Sequence, residues 1–140
     1  MPVFIKSQTI QTQTAEVFVG ITNKVQYIIN EMIYEKRLDA DSFEATVTVF
    51  APHTTAAIIS YENADPEVQH DFLTALDSMM PVKQEMKHDN AAAHIKASML
   101  GCSETIPVHK GRLMLGPKQA VYLVEFDGPR FRTITVQVRY

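Results

Sequence analysis

Five histidines are the first side chains in this sequence that could carry chemistry, because neutral imidazole binds metals and titrates near neutral pH. His53 follows a predicted strand, while His88 and His94 flank the start of a predicted helix. Such positions often hold binding residues, because a rigid scaffold positions the loops at element ends. For His53 a structural role, as a histidine hydrogen-bonded to a neighbouring loop, stays equally open. His70 and His109 are instead predicted to be solvated, one on the polar side of a helix and the other beside a turn.

The segment 88–94 is the most suggestive of these settings. Asn90 is a favourable N-cap residue, so residues 91–93 would form the first turn of a helix. The free backbone N–H groups of that turn and the positive end of the helix dipole make a natural anion site. Two interpretations stay open. Either His88 and His94 flank a phosphate or share a metal ion, or the segment is an ordinary helix start and the histidines are incidental.

A carboxylate and two arginines near the C-terminus form a second candidate set. Glu125 ends the apolar run 120–124, so its carboxylate is predicted to be paired or functional. Arg130 and Arg132 follow the predicted turn 127–129, and a tight hairpin would place Arg132 opposite Glu125. The set is then either a cross-strand ion pair that pins the hairpin or a group that holds metal and phosphate. The pattern favours neither.

Three helices are predicted to position these residues. The first has Thr22 as its predicted cap and is followed by apolar residues at helical spacing. These residues are Val25, Ile28, Ile29, Met32 and Ile33. The second helix starts at Asp65 and Pro66, and the third runs from Asn90 to a C-terminal cap at Gly101.

Strands are predicted for most of the remaining chain. They cover 3–13, 44–49, 55–60 and parts of 103–140, with turns at 110–111 and 127–129. In the last strand, even-numbered residues from Ile134 to Tyr140 are expected to face inward. Because strands and helices do not alternate as βαβ units, we expect an α+β fold with mostly antiparallel strands. A single domain over residues 1–140 fits the chain length.

Composition limits the classes of protein that remain. One cysteine, Cys102, excludes an internal disulfide and a thiolate zinc site. The net charge of −3 argues against nucleic acid as the partner, since phosphate neutralisation needs a basic face. No apolar run approaches the ~20 residues that span a membrane, and no secretory signal is visible. We therefore expect a cytoplasmic protein, and the charge favours a small molecule or another protein as its partner without distinguishing between them.

Six short strings of residues, in this order and spacing, resemble the YjbQ family, described as secondary thiamine-phosphate synthases. The strings are His53-Thr54-Thr55-Ala56, Glu62-Asn63-Ala64-Asp65-Pro66, His88-Asp89-Asn90, Ala93-His94-Ile95-Lys96-Ala97, Leu100-Gly101 and Glu125-Phe126-Asp127-Gly128-Pro129-Arg130. The resemblance implies a mostly antiparallel sheet packed with about three helices, and a homotrimer. It also implies a site assembled from the matching segments.

The site residues follow from the resemblance and from the patterns above. Those expected to act in catalysis are His53, His88, His94 and Glu125, and the three histidines are also the expected metal ligands. Those expected to bind the substrate are Thr54, Asn63, Asn90, Arg130 and Arg132.

The implied reaction joins hydroxymethylpyrimidine diphosphate to a thiazole phosphate, which gives thiamine phosphate and releases diphosphate. A leaving diphosphate needs cations around it, normally a divalent metal, here magnesium or zinc, together with arginines. The expected partner is thus a small phosphorylated metabolite. The same residues are also compatible with a metal-dependent hydrolase of a small metabolite, and with a non-catalytic protein that binds an anion or a metal.

Overall fold

A computed structural model describes residues 1–62, 65–80 and 86–140 of the chain. In these residues the helices are Thr22–Glu35 (α1), Pro66–Ser78 (α2) and Ala91–Leu100 (α3), with a turn of 3-10 helix at Ala40–Ser42. The strands are Val3–Gln11 (β1), Val17–Gly20 (β2), Ala45–Phe50 (β3), Ala56–Glu62 (β4), Ser103–His109 (β5), Arg112–Leu113 (β6), Gln119–Glu125 (β7) and Phe131–Arg139 (β8). No helix in these ranges is long and apolar enough to cross a membrane.

The strands form two sheets, and every strand pair in them is antiparallel. The large sheet has the order β1-β8-β3-β5-β6, and the small sheet has the order β2-β7-β4. Lys110 and Gly111 join β5 to β6 with positive φ angles of 49° and 77°, as a two-residue hairpin turn requires. The predicted α+β class, with three helices and antiparallel strands, is confirmed.

The small sheet is buried on both faces, which explains why β7 is apolar along nearly its whole length. Val121 and Leu123 face a core shared with α1 and the large sheet. Tyr122 and Val124 face the opposite way, into a second cluster with α2 and α3. A strand that alternates between two apolar environments shows no polar face in its sequence. Glu125 continues the Val121 and Leu123 face and therefore points toward the large sheet.

The helix starts follow the predictions only in part. The Asp65 side chain caps α2 by accepting a hydrogen bond from the Glu67 amide at 2.9 Å, as predicted. Thr22, however, is the first residue of α1 and not its cap. Its hydroxyl accepts a hydrogen bond from the Val121 amide at 2.8 Å and so ties α1 to the small sheet. Asn90 occupies the N-cap position of α3 without making a side-chain capping bond.

The hairpin predicted around the turn 127–129 is wrong. β7 belongs to the small sheet and β8 to the large one, so the connection crosses between sheets. The inward and outward sides of β8 are nonetheless as predicted, with Ile134, Val136 and Val138 buried. Arg132 lies on that same inward side and faces Glu125 across the space between the sheets.

Candidate functional site

A cavity of about 320 Å³ opens beside the crossing from β7 to β8. Its lining residues come from the segment after β3, the start of α3 and the crossing itself. They are Pro52, His53, Thr54, Thr55, Asn90, His94, Asp127, Arg130 and Arg132. Six of the residues predicted for the site therefore border one cavity, although they come from three distant parts of the sequence.

Glu125 lies beneath this cavity and is fully buried. Its Oε1 accepts hydrogen bonds from the Thr12 hydroxyl at 2.7 Å and from Arg132 Nε at 2.8 Å. Its Oε2 accepts from the Asp127 amide at 3.0 Å and from Arg132 Nη2. Burial alone would raise the pKa of Glu125, but these hydrogen bonds outweigh it and hold the pKa below its usual value. The carboxylate is therefore ionised and fixed.

Arg132 is the second member of this buried pair. Arg132 donates to Glu125 once through Nε and once through Nη2. Nη2 also donates to the Thr55 hydroxyl at 2.7 Å and to the Thr55 carbonyl at 3.2 Å. Nε and Nη2 are thus committed to the protein, whereas no described residue accepts a hydrogen bond from Nη1. The predicted pairing of Glu125 with Arg132 is present, but it joins two sheets and not two strands of a hairpin.

Arg130 is held at the cavity in a similar way by a different acid. Its Nε donates to the Asp127 carbonyl at 2.7 Å and its Nη2 to the Asp127 carboxylate at 2.8 Å. The Asp127 carboxylate also accepts a hydrogen bond from the side-chain amide of Asn90 (Nδ2) at 3.3 Å, so the turn is tied to the start of α3. Arg130, Asn90 and Arg132 together keep the pKa of Asp127 below its usual value. Again no described residue accepts a hydrogen bond from Nη1 of Arg130.

His53 also borders this cavity. Its Nε2 accepts a hydrogen bond from the Thr133 amide at 2.8 Å. Burial lowers the pKa of His53, and the nearby Arg132 charge lowers it further. His94 lies on α3 at the cavity edge with its side chain exposed.

Besides Glu125, which lies beneath the cavity, two predicted site residues are not among its lining. His88 is exposed and does not belong to the lining. Asn63 lies outside the described residues. Within the described part of the chain, no group of three or more His, Cys, Asp or Glu side chains could hold a metal ion. The three-histidine metal set therefore stays a prediction.

A larger cavity of about 480 Å³ adjoins the first one, and Asn90 and Asp127 line both. Lys96 is its most buried charged group, 4% exposed, and Nζ donates to Glu16 at 2.8 Å and to Asp77 at 2.9 Å. Burial opposes the charged form of Lys96, but the two carboxylates raise its pKa above the usual value. The ion-pair cluster joins α3 to α2 and to the segment before β2.

Thr12 and Thr55 are positioning residues that the sequence patterns did not identify. Both are buried, and each contacts one member of the Glu125–Arg132 pair. Thr12 also accepts a hydrogen bond from the Arg130 amide at 2.9 Å. One signal could have found Thr12. It follows the buried Ile10 at a spacing of two, so strand alternation places its hydroxyl on the inward side.

The fold and cavity define a small α+β protein with a polar cavity where two antiparallel sheets meet. Residues 6–139 match the family described as UPF0047 protein YjbQ-like. The chain is 39% identical over 131 residues to the UPF0047 protein MJ1081 of Methanocaldococcus jannaschii, a match that covers 92% of this chain and 89% of that protein. It is 35% identical over 137 residues to the UPF0047 protein YugU of Bacillus subtilis, covering 96% and 98%.

Comparison with solved structures points to the same family. A YjbQ/UPF0047 family protein from Clostridium acetobutylicum superimposes with a TM-score of 0.84 at 38% identity, covering 95% of this chain and 98% of that one. A YbjQ-like protein of unknown function from Sulfolobus solfataricus gives 0.82 at 30% identity, covering 98% and 96%. The chain belongs to the YjbQ/UPF0047 family, as its sequence motifs predicted. The family itself is of uncharacterised function.

Proposed function

We propose that the cavity binds the phosphate groups of a small phosphorylated metabolite and that the protein is a transferase. The reaction we assign is the one that the family resemblance implies. It joins hydroxymethylpyrimidine diphosphate to a thiazole phosphate and releases diphosphate. One observation carries the proposal: Arg130 and Arg132 border one cavity, and each is fixed through Nε and Nη2. In Arg132 both nitrogens donate to the Glu125 carboxylate, and in Arg130 they donate to the carbonyl and the carboxylate of Asp127.

This arrangement suits a group that gains negative charge as a bond breaks. An arginine fixed through two of its nitrogens presents the third, Nη1, in a defined direction, so little reorganisation is needed when charge develops. The carboxylates of Glu125 and Asp127 offset the guanidinium charges but leave both Nη1 groups free of described acceptors. Donors that are positioned before the reaction stabilise a leaving diphosphate more than mobile ones do.

A divalent cation, magnesium or zinc, remains part of the proposal. Magnesium is commonly bound through one or two carboxylates together with the substrate's phosphates. The Asp127 carboxylate, at the boundary of both cavities, is the described acid best placed to share such an ion. When bound, the ion would neutralise charge on the diphosphate. The residues of the chain would still orient the anion.

The homotrimer implied by the resemblance is likewise proposed. Three exposed apolar side chains on the outer face of the large sheet, Ile5, Phe50 and Phe131, favour contact between copies. Light scattering at micromolar concentration should give three times the mass of one chain. The mass of a single chain would contradict this part of the proposal.

The reaction is tested by measuring diphosphate release with the two precursors present singly and together, with magnesium added. The transferase predicts release only when both precursors are present, and loss of that release in Arg132→Met. Turnover of one precursor with water would instead indicate a hydrolase. Saturable binding of the precursors without turnover would indicate a binding protein.

A further inference from the structure

We infer that His53 acts in this cavity as a neutral N–H donor to a bound phosphate oxygen, through Nδ1, and serves neither as a metal ligand nor as a cation. This inference rests on the proposed function, because it names how one residue of the same cavity recognises the anion. It assigns a single tautomer and a single direction of hydrogen bonding to the ring. It also separates His53 from the three-histidine metal set.

The backbone of β8 fixes the tautomer. The Thr133 amide lies 2.8 Å from Nε2, and an amide N–H can only donate, so Nε2 must offer its lone pair. The Thr133 carbonyl lies farther from the same nitrogen, at 3.2 Å, and would suit the opposite tautomer. A proton on Nε2 would then face the proton of the closer amide. Because the contact with the Thr133 amide is the shorter of the two, we assign the lone pair to Nε2 and the ring proton to Nδ1.

The sheet explains why Thr133 needs the imidazole. The pairing of β3 with β8 ends at Phe50 and Thr135, so β3 does not continue alongside Thr133. The chain instead turns through Pro52, which has no N–H to donate, and brings the His53 ring to the exposed backbone. The His53 ring thus accepts the hydrogen bond from the Thr133 amide that a neighbouring strand would otherwise accept. Because this contact occupies Nε2, only Nδ1 can contact a ligand.

The charges around His53 keep the ring neutral. Burial lowers the pKa of His53, and the charge of Arg132 from β8 acts in the same direction. Hydrogen bonding to the Thr133 backbone and the charge of Glu125 from β7 act in the opposite direction, but the net shift is downward, and the Glu125 carboxylate is already engaged by Arg132 and Thr12. The remaining titratable groups of the cavity wall are those of His94, Asp127 and Arg130. A protonated ring would also lose the bond from the Thr133 amide.

Two consequences follow for the cavity. A metal ion would need a ring-nitrogen lone pair, and the only lone pair of His53 is occupied by the Thr133 amide. A phosphate oxygen, in contrast, needs an N–H donor, and no described residue accepts from Nδ1. His53 thereby adds a neutral donor to a cavity that Arg130 and Arg132 also border. An anion bound there would meet up to three side-chain donors.

Two substitutions separate the ring nitrogens. In His53→Asn the side-chain amide nitrogen falls near the position of Nδ1, and in His53→Gln the amide reaches the position of Nε2. Inorganic diphosphate titrated into the parent and both variants, by calorimetry, gives the affinities, and thermal melts verify folding. We expect His53→Gln to weaken binding about tenfold or more, the effect of one hydrogen bond to a charged group. His53→Asn should retain most of the affinity.

Nitrogen-15 NMR of histidine-labelled parent protein gives an independent readout, because it reports which ring nitrogen carries the proton. A single neutral tautomer with the proton on Nδ1 is expected at pH 7. A proton on Nε2, a charged ring, or parental affinity in a folded His53→Gln variant would overturn the inference while leaving phosphate binding intact. No saturable binding of diphosphate to the parent would overturn the proposed function and the donor role together.

Discussion

Replacing Glu125 with glutamine tests whether the buried pair with Arg132 organises the cavity. The carboxylate is fully buried and accepts four hydrogen bonds, two on each oxygen. Glutamine keeps the size but has one oxygen and one NH₂ group, so two of the four donors would face another donor. It also leaves the buried guanidinium uncompensated. Breaking a buried pair in this way costs about 3–5 kcal/mol.

The assay is chemical or thermal unfolding of Glu125→Gln beside the parent. For a chain of this length, each kcal/mol shifts the melting temperature by about 3 °C, so a fall of about 10–15 °C is expected. Glu31→Gln is the matched control, because Glu31 pairs with Lys6 at the surface at 2.9 Å. It should cost at most about 1 kcal/mol. A Glu125→Gln loss no larger than that of the control would refute the reasoning.

The pH dependence of this difference provides a second check. Since the pKa of Glu125 is lowered in the folded protein, its contribution to stability is fully present above the usual value of 4.5. That contribution is lost as pH falls through the lowered pKa. The stability gap between parent and Glu125→Gln should therefore be constant near neutrality and shrink in acid below about pH 4.5. A gap that widens in acid would contradict the sign of the shift.

Three further predictions concern the surroundings of the pair. Gly128→Ala should destabilise by about 1–3 kcal/mol in unfolding experiments, because its Cβ would meet the Thr14 carbonyl and lie 2.8 Å from the Glu125 side chain. Gly20→Ala, whose Cβ meets nothing nearer than 3.8 Å, should be close to neutral. Lys96→Met should lower the unfolding free energy by about 1–3 kcal/mol near pH 7. That difference should shrink only as pH rises above 10.5, because the pKa of Lys96 is raised. Arg130→Lys should reduce turnover of the proposed reaction by about two powers of ten, since lysine lacks the planar two-pronged geometry, with little change in melting temperature.

The spacing of apolar residues predicted most helices and strands correctly, because that spacing depends on which side of a single helix or strand is buried. The stripe of α1 is buried as predicted, from Val25 to Ile33. The Asp65 cap of α2 and the alternation of β8 were also correct. Each of these depends on residues within a few positions of one another, so the sequence alone contains the needed information.

Predictions that depended on pairing between distant segments were less successful. The turn 127–129 has a hairpin composition, but the apolar run before it is buried on both faces, and this places β7 and β8 in different sheets. Glu125 and Arg132 were paired correctly because their inward sides were assigned correctly, even though the strand register was not. Thr12 was missed because its partners are more than 100 positions away, as with Glu125 at a separation of 113.

The most direct test of the proposed function is a crystal structure of the protein grown with inorganic diphosphate and magnesium. We predict diphosphate in the cavity bordered by Arg130, Arg132 and His53, with Nη1 of each arginine and Nδ1 of the histidine within hydrogen-bond distance of its oxygens. Diphosphate bound elsewhere with this cavity empty, or no bound diphosphate at saturating concentration, would contradict the proposal that this cavity recognises phosphorylated metabolites.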